Sequence, residues 1–267
     1  MEKGTIWTII FLKLIIKELQ MNNKLAYDLP TRIFHWCFAS LFVFSFFVAK
    51  VIDDESALYA YHMLSGIMMS ILVILRVLWG FMGTKYARLS SFMLGPKDLV
   101  GYLVSTVSGK TKRYMGHNPA SSFAAIGMFL ASLGLVTTGI FMSQHVYKDF
   151  FEDVHELIAN GFLVLVLLHI TGVIFHQLRH KDNIAFSMLH GKKQNIDDGI
   201  EIKSQKIGVA IIFVFLIISS ASYLLSSYNT KTQNLSLPGI ELQLGELEDH
   251  HDGKKHNEEN ENEEDDD

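Results

Sequence analysis

The stretch VHELIANGFLVLVLLHI, residues 154–170, decides the fold, because it is almost entirely apolar and yet has a histidine near each end, His155 and His169. It lies in an apolar run, residues 150–177, that exceeds the roughly 20 residues a helix needs to cross a membrane. A polar group without a partner is costly in hydrocarbon. The two imidazoles therefore indicate partners, and a function, inside the membrane.

Four more apolar runs are long enough to cross a membrane, and the apolar residues, 49% of the 267 in the chain, are gathered into these runs. With the run at 150–177 they predict spans at residues 31–50, 58–82, 122–142 and 206–228. We therefore predict an all-α integral membrane protein, an antiparallel helical bundle with a four-helix core and a fifth transmembrane helix. The single cysteine, Cys37, lies in the first run, so the sequence provides neither a disulfide framework nor a cysteine-based metal site.

The two ends of the chain differ from the four-helix core, which we assign to residues 21–193. Residues 1–20 hold a short apolar segment broken by Lys13, with no small-residue cleavage pattern after it. We interpret them as an extension ahead of Met21, with a poor signal or an interfacial helix as alternatives. Residues 194–228 are predicted to form a cytoplasmic linker and the fifth span. Because thirteen acidic residues follow Tyr228 and dominate the net charge of -5, residues 229–267 are predicted to be a disordered acidic tail.

Basic residues indicate how the bundle is oriented. They crowd the loops between spans two and three and between spans four and five, whereas the opposite loops are poor in them. By the positive-inside rule the rich loops are cytoplasmic. The Met21 end is then inside and the acidic tail outside, as an odd number of spans requires. The basic residues of the two loops are Lys85, Arg88, Lys97, Lys110, Lys112, Arg113, Arg179, Lys181, Lys192, Lys193, Lys203 and Lys206.

Four histidines within the spans fall at two depths. Fourteen residues separate His155 from His169, so they lie about 21 Å apart along one helix and only about 40° apart around it. On this orientation His62 matches the depth of His155 near the outer face, and His35 matches that of His169 near the inner face. Two haems stacked across a membrane need such pairs of axial nitrogens from facing helices. We therefore predict the four histidines as iron ligands.

Other interpretations of these histidines stay open. All four can serve a structural role by bonding to carbonyls or hydroxyls of neighbouring helices. A transporter with a histidine proton relay would expect acidic residues within the spans, where only Glu156 lies at an edge. His145 and His176 are rival ligands, but His176 would lie about 10 Å deeper than His169. The histidines interpreted as solvated are His117, His180, His190, His250, His251 and His256.

Two arginines are candidates for the propionate groups that a haem would bring, since carboxylates in a membrane need cationic or hydrogen-bonding partners. Arg76 is the charged residue inside the second span, fourteen residues after His62 and on nearly the same face. Arg32 precedes His35 by three residues. The alternative for both is that the side chain extends to lipid headgroups.

Several motifs in residues 27–193 together resemble the bacterial cytochrome b561 and nickel-iron hydrogenase b-type cytochrome family. Each motif alone is weak, but their order and spacing are specific. In addition to the histidines in spans one, two and four, they are YDLPTRIFHW (27–36), YHMLSG (61–66), RVLWGFMGTKYARLSSF (76–92), KRYMGHNPASS (112–122) and LRHKDNIAFSMLHGKK (178–193).

The resemblance implies a bundle that holds two haem b groups without covalent attachment, with ligands at His35, His62, His155 and His169. It also implies a helix on the cytoplasmic surface at residues 96–108, and a cap for the third span at the GHNP sequence, residues 116–119. The role of His117 within that sequence is not predicted.

The activity implied by the resemblance is electron transfer in a respiratory chain of the bacterial cytoplasmic (inner) membrane. Electrons would pass between membrane quinone and a partner such as a periplasmic c-type cytochrome, a dehydrogenase or a hydrogenase. A dimer or larger complex is expected, and a nucleic acid is not. The alternative within this chemistry is a superoxide:quinone oxidoreductase. The resemblance leaves open whether the chain is an electron-transfer protein or a subunit of an oxidoreductase complex, and it implies no catalytic acid, base or nucleophile.

Overall fold

The computed structural model describes residues 23–110, 112–194 and 200–245. The predictions for residues 1–20 and for the most acidic part of the tail, residues 246–267, lie outside these ranges.

Five helices are long and apolar enough to cross a membrane, and all five predicted spans are confirmed to within a few residues. They are α1 (Leu29–Val51), α2 (Ala60–Met82), α4 (Pro119–Ser143), α5 (Lys148–His180) and α7 (Ile207–Ser227). The chain is therefore a helical membrane bundle, as predicted. Two shorter helices, α3 (Pro96–Val107) and α6 (Ser187–His190), lie in the connections.

Local sequence signals explain where two of the spans begin. The Asp28 side chain caps α1 by accepting a hydrogen bond from the backbone N–H of Thr31 at 3.0 Å. Asn118 caps α4 in the same way, accepting from the N–H of Ser121 at 2.8 Å. A proline follows within the first turn of each helix, where its missing N–H costs nothing. The predicted GHNP cap is thereby confirmed.

The core lies where α1, α2 and α4 meet, with α5 packed along α4 and α7 packed along α1 and α2. Its aromatic residues interlock across helices: Phe34 contacts Phe129 edge-on, with ring centroids 5.6 Å apart, and Phe42 lies 4.7 Å from Phe162. The outward faces of the outer helices expose large apolar residues such as Phe47, Leu168 and Phe215. Such faces suit a lipid environment and would be costly in water.

Short strands close one end of the bundle. Strand β1 (Asn23–Leu25) pairs antiparallel with β2 (Lys192–Gln194), which ties the start of α1 to the segment after α5. The linker to α7 joins this sheet, because the N–H of Ile202 donates to the carbonyl of Leu25 at 3.0 Å. We call this the β1 end of the bundle.

A second sheet covers the opposite end, and it corrects the prediction for the tail. Strands β3 (Tyr228–Asn229), β4 (Asn234–Leu237) and β5 (Ile240–Gln243) form an antiparallel sheet. The prediction of disorder from residue 229 is thus wrong for residues 229–245. The average composition of the tail hid an alternating apolar pattern around a Pro238-Gly239 turn, in which Gly239 takes the positive φ that such a turn requires. We call this the β4 end.

Helix α3 lies at the predicted position. Its exposed apolar residues, Val100, Leu103, Val104 and Val107, recur at helical spacing and form one face. An amphipathic helix with such a face can lie in a membrane surface.

Candidate functional site

His62 on α2 and His155 on α5 face each other at the β4 end. Their ring centroids are 6.1 Å apart and the ring planes are inclined by 66°. Two imidazole nitrogens that share one metal at about 2 Å each would put the centroids roughly 6 Å apart. The structure therefore brings the predicted outer pair to a spacing that suits a shared metal.

In both histidines of this pair the Nδ1 atom has a hydrogen-bond partner, and Nε2 is the nitrogen left for a metal. The Nδ1 atom of His62 lies 3.0 Å from the carbonyl oxygen of Ser45 and 3.0 Å from its hydroxyl, both on α1. The Nδ1 atom of His155 lies 2.8 Å from the hydroxyl of Thr138 on α4, and that hydroxyl donates to the carbonyl of Leu135. Both Nδ1 atoms are thus donors, which leaves Nε2 with the lone pair that a metal needs.

The sequence reasoning missed Ser45 and Thr138. Both are buried, and each lies 17 residues before its histidine, on the helix that precedes it. The sequence signal that could have found them is a hydroxyl residue on the neighbouring antiparallel helix, at the same depth as the histidine.

His35 on α1 and His169 on α5 come together near the β1 end. Their imidazoles are close enough to interact electrostatically, and the His35 ring packs edge-on against Trp36 at 5.4 Å. The structure thus places the two histidines of the predicted inner pair within electrostatic range of each other.

Arg76 lies deep in the bundle toward the β1 end and is only 2% exposed. Its Nη1 atom is buried and has no hydrogen-bond partner within the described part of the chain. Asp28, an opposite charge that acts on Arg76, is fully buried and accepts hydrogen bonds from Trp79 Nε1 at 3.2 Å and from the Thr84 hydroxyl at 2.6 Å. Arg76 therefore keeps an unused donor for an anion.

Arg32 is oriented differently. Its Nη2 donates to the carbonyl of Leu189, in the connection that leads to β2. Its Nε atom is buried and lacks a partner among residues 23–110, 112–194 and 200–245. Arg32 thus fastens the Leu189 connection to α1, with one donor left over.

The imidazole of His117 is buried, so the prediction that it is solvated is wrong. Its ring packs against Phe92 at 4.5 Å and Tyr27 at 6.2 Å, and its Nδ1 atom is buried with no partner among the residues described. Burial first, and then the charges of Lys193 and Arg76, lower the pKa of this imidazole to about 3. It is therefore neutral at physiological pH.

The surroundings of His117 are held by Lys193, a cation that is itself almost fully buried. Its Nζ donates to the carbonyls of Tyr114 at 3.0 Å and Gly116 at 2.9 Å, and lies 5.0 Å from the centre of the Tyr27 ring. Lys193 thereby fixes the loop that leads into α4.

The rival histidines are engaged elsewhere. His176 is buried, with Nε2 3.5 Å from a carboxylate oxygen of Asp182 and its ring 4.3 Å from that of His180. His145 is exposed at the β4 end, where it lines a surface pocket with Glu241. The described residues pair neither one with His35 or His62.

The site fits a haem better than a bare ion. No three His, Cys, Asp or Glu side chains in the described ranges are grouped so as to hold a metal ion, so a metal between two histidines needs ligands from outside the chain, as a porphyrin supplies. There is also space: a Cβ added at Gly66, one turn after His62, would meet no atom within 4 Å, and one at Gly139 would lie 4.0 Å from His155 Cε1.

Comparison with known proteins finds a family and several relatives. Residues 26–191 match the family described as prokaryotic cytochrome b561. The chain is 27% identical to the probable Ni/Fe-hydrogenase 1 B-type cytochrome subunit of Escherichia coli K12, over 64% of this chain and 90% of that protein. It is 26% identical to the probable Ni/Fe-hydrogenase B-type cytochrome subunit of Rhizobium leguminosarum bv. viciae, over 66% and 91%. No solved structure matches the chain significantly.

Proposed function

Because the chain belongs to the prokaryotic cytochrome b561 family, we propose that this membrane b-type cytochrome binds two haems and carries electrons across the bilayer between quinone and a partner redox protein. Family membership implies haem b and electron transfer. The single observation that supports the ligand assignment most directly is the 6.1 Å spacing of the His62 and His155 rings, with both Nδ1 atoms engaged elsewhere.

The chain's own residues hold and tune the haems. His62 and His155 would hold the outer one, and His35 and His169 the inner one. Bound haem b supplies an iron that changes between the ferric and ferrous states. The hydrogen bonds from Nδ1 to Ser45 and Thr138 orient the outer imidazoles and increase their basicity.

The propionates of the inner haem would be met by Arg76, whose buried Nη1 atom has no other partner in the described chain. Arg32 is a second candidate, although one of its donors is used by Leu189. A buried donor that is left without a hydrogen-bond partner is costly, and a carboxylate would remove that cost.

The two levels lie far enough apart to span much of the membrane. His155 and His169 both lie on α5, and fourteen residues rise about 21 Å. Electrons that pass between the two haems would therefore cross most of the hydrocarbon core, which is about 30 Å thick.

The distribution of basic residues supports the proposed orientation, and the names of the relatives support the proposed partner. The basic loops at the β1 end support a cytoplasmic location for that end, in the bacterial inner membrane. The relatives are named as subunits of Ni/Fe-hydrogenase, which supports a partner oxidoreductase, with quinone as the redox partner in the lipid. A periplasmic c-type cytochrome remains the alternative partner, and a homodimer is part of the proposal.

Visible spectroscopy of the purified protein tests the proposal. We expect dithionite-reduced minus air-oxidised spectra with sharp b-type bands, and two extractable haem b per chain. A single haem per chain would reject the dihaem arrangement. A colourless protein would reject electron transfer by haem altogether and favour a structural or proton-relay role for the histidines.

A further inference from the structure

Three polar side chains lie close together at the β1 end, and we call them the inner polar cluster: Arg76, His117 and Lys193. They come from α2, from the loop before α4 and from β2, so only the folded bundle brings them together. The His117 imidazole is within electrostatic reach of the other two and of His169.

Two atoms of this cluster are buried without a hydrogen-bond partner in the described chain, Nη1 of Arg76 and Nδ1 of His117. Buried polar groups are nearly always paired in folded proteins. Because the two atoms belong to one cluster, they indicate a shared partner that the described part of the chain does not supply.

Lys193 is not one of the unused donors. Its Nζ donates to the carbonyls of Tyr114 and Gly116, on the two sides of the loop residue Met115. Together with the Asn118 cap, Lys193 fixes the backbone on either side of His117. The imidazole is thus held in place, between Phe92 and Tyr27, while its Nδ1 atom is left unused.

The negative group close to Arg76 is Asp28, and it does not explain the unused atoms. Asp28 already accepts from Trp79, Thr84 and the backbone N–H of Thr31. A further carboxylate next to the cluster would satisfy both donors, since a carboxylate accepts several hydrogen bonds. A haem held by His35 and His169 brings two carboxylates, its propionates.

We infer that His117 is a positioning residue of the inner haem, which donates a hydrogen bond from Nδ1 to a propionate alongside Arg76. This inference rests on the proposed dihaem function. His117 is not an iron ligand here, and its effect on the iron is electrostatic: its N–H offsets part of the propionate's negative charge and so favours the ferrous state.

Substitution of His117 tests this role through the reduction potentials of the two haems. In His117→Phe, the uncompensated propionate should lower the midpoint potential of the inner haem alone. A tenfold change in the reduced-to-oxidised ratio corresponds to about 59 mV for one electron, and we expect a shift of up to that size. In His117→Asn, an amide N–H replaces Nδ1–H, and most of the shift should be recovered.

The measurement is an equilibrium redox titration of the purified protein, followed in the b-type bands. The control is His145→Phe, which removes an exposed histidine at the β4 end and should change neither potential. The inner haem is identified as the one lost in His169→Ala. The inference is wrong if both potentials in His117→Phe equal those of the unsubstituted protein, if both shift equally, or if Asn and Phe give the same result.

Two further measurements distinguish a failure of the proposed function from a failure of the role inferred for His117. The haem content of the unsubstituted protein is measured first, because fewer than two haems per chain rejects the proposed function rather than the role of His117. If His117→Phe does not accumulate in the membrane, His117→Leu removes the same Nδ1 donor with a smaller side chain and takes its place in the test. A lowered potential of the inner haem alone supports the inference, and a shift in the outer haem or in neither overturns it.

Discussion

The Nδ1 atom of His155 lies 2.8 Å from the hydroxyl oxygen of Thr138, and His62 repeats this relation with Ser45 at 3.0 Å. In both pairs the hydroxyl residue precedes the histidine by 17 residues on an antiparallel neighbour. The two outer imidazoles are therefore oriented by matching contacts from α1 and α4, with their other nitrogens left for a metal. Loss of the hydrogen-bond partner of a metal-binding histidine typically lowers metal affinity by about 10–100-fold.

Thr138→Val should weaken the outer haem specifically, because valine keeps the shape of threonine and removes the acceptor for Nδ1–H. The less basic imidazole stabilises the ferric iron less, so the potential of that haem should rise and its affinity fall by about 10–100-fold. Haem retention during dilution in detergent and a redox titration measure both effects. Thr137→Val is the matched control, since Thr137 is exposed and its hydroxyl donates to the carbonyl of Leu133 on the same helix. Equal effects of the two substitutions would contradict the assignment.

Substitution of a single proposed ligand should remove only the haem at that ligand's level in the membrane. His62→Ala or His155→Ala should lower the haem content from two to one per chain and remove the same spectral component in both cases. His35→Ala or His169→Ala should remove the other component. His176→Ala, at a buried histidine bound to Asp182, is the control and should retain both. The pairing by depth is disproved if His62→Ala and His155→Ala remove different components.

Asp28 should be important for stability rather than for redox chemistry. Asp28→Ala leaves the buried donors of Trp79 and Thr84 without an acceptor and removes the cap of α1. We expect a loss of about 2–4 kcal/mol in the free energy of unfolding, measured as a lower thermal midpoint in detergent. Asp98→Ala, at an exposed position in the first turn of α3, should change the midpoint little. Similar losses at both positions would show that the buried network adds nothing.

The sheet at the β4 end should protect the segment after α7 from proteases. Leu242 is 1% exposed in the core of that sheet, and Leu242→Ala should cost about 2–5 kcal/mol of local stability. The expected result is faster tryptic cleavage at Lys231. Ser236→Ala, an exposed position on β4, serves as the control. If cleavage is equally fast in the unsubstituted protein, the sheet does not form in solution.

The sequence alone was sufficient for the spans and for the depth of each histidine along its own helix. Span positions follow from the length of apolar runs, because the hydrocarbon thickness sets how many apolar residues a helix needs. The levels follow from the regular rise of a helix, which converts a sequence separation such as that between His155 and His169 into a depth. The cap at Asn118 was also predictable, since it depends on residues within one turn.

Only the tertiary structure decided which side chains on neighbouring helices contact each other. Sequence spacing gives the depth of a side chain but does not state which neighbouring helix it meets, so Ser45 and Thr138 stayed hidden although they lie at the right depth. His117 was misread as solvated because Tyr27, Phe92 and Lys193, which surround it, are far away along the chain. The sheet after Tyr228 was missed because the acidic composition of the tail hid its alternating apolar pattern, and the burial of Leu235 and Leu242 is seen only in the folded protein. Depth in a membrane is a local property of each helix, whereas burial and pairing depend on the whole bundle.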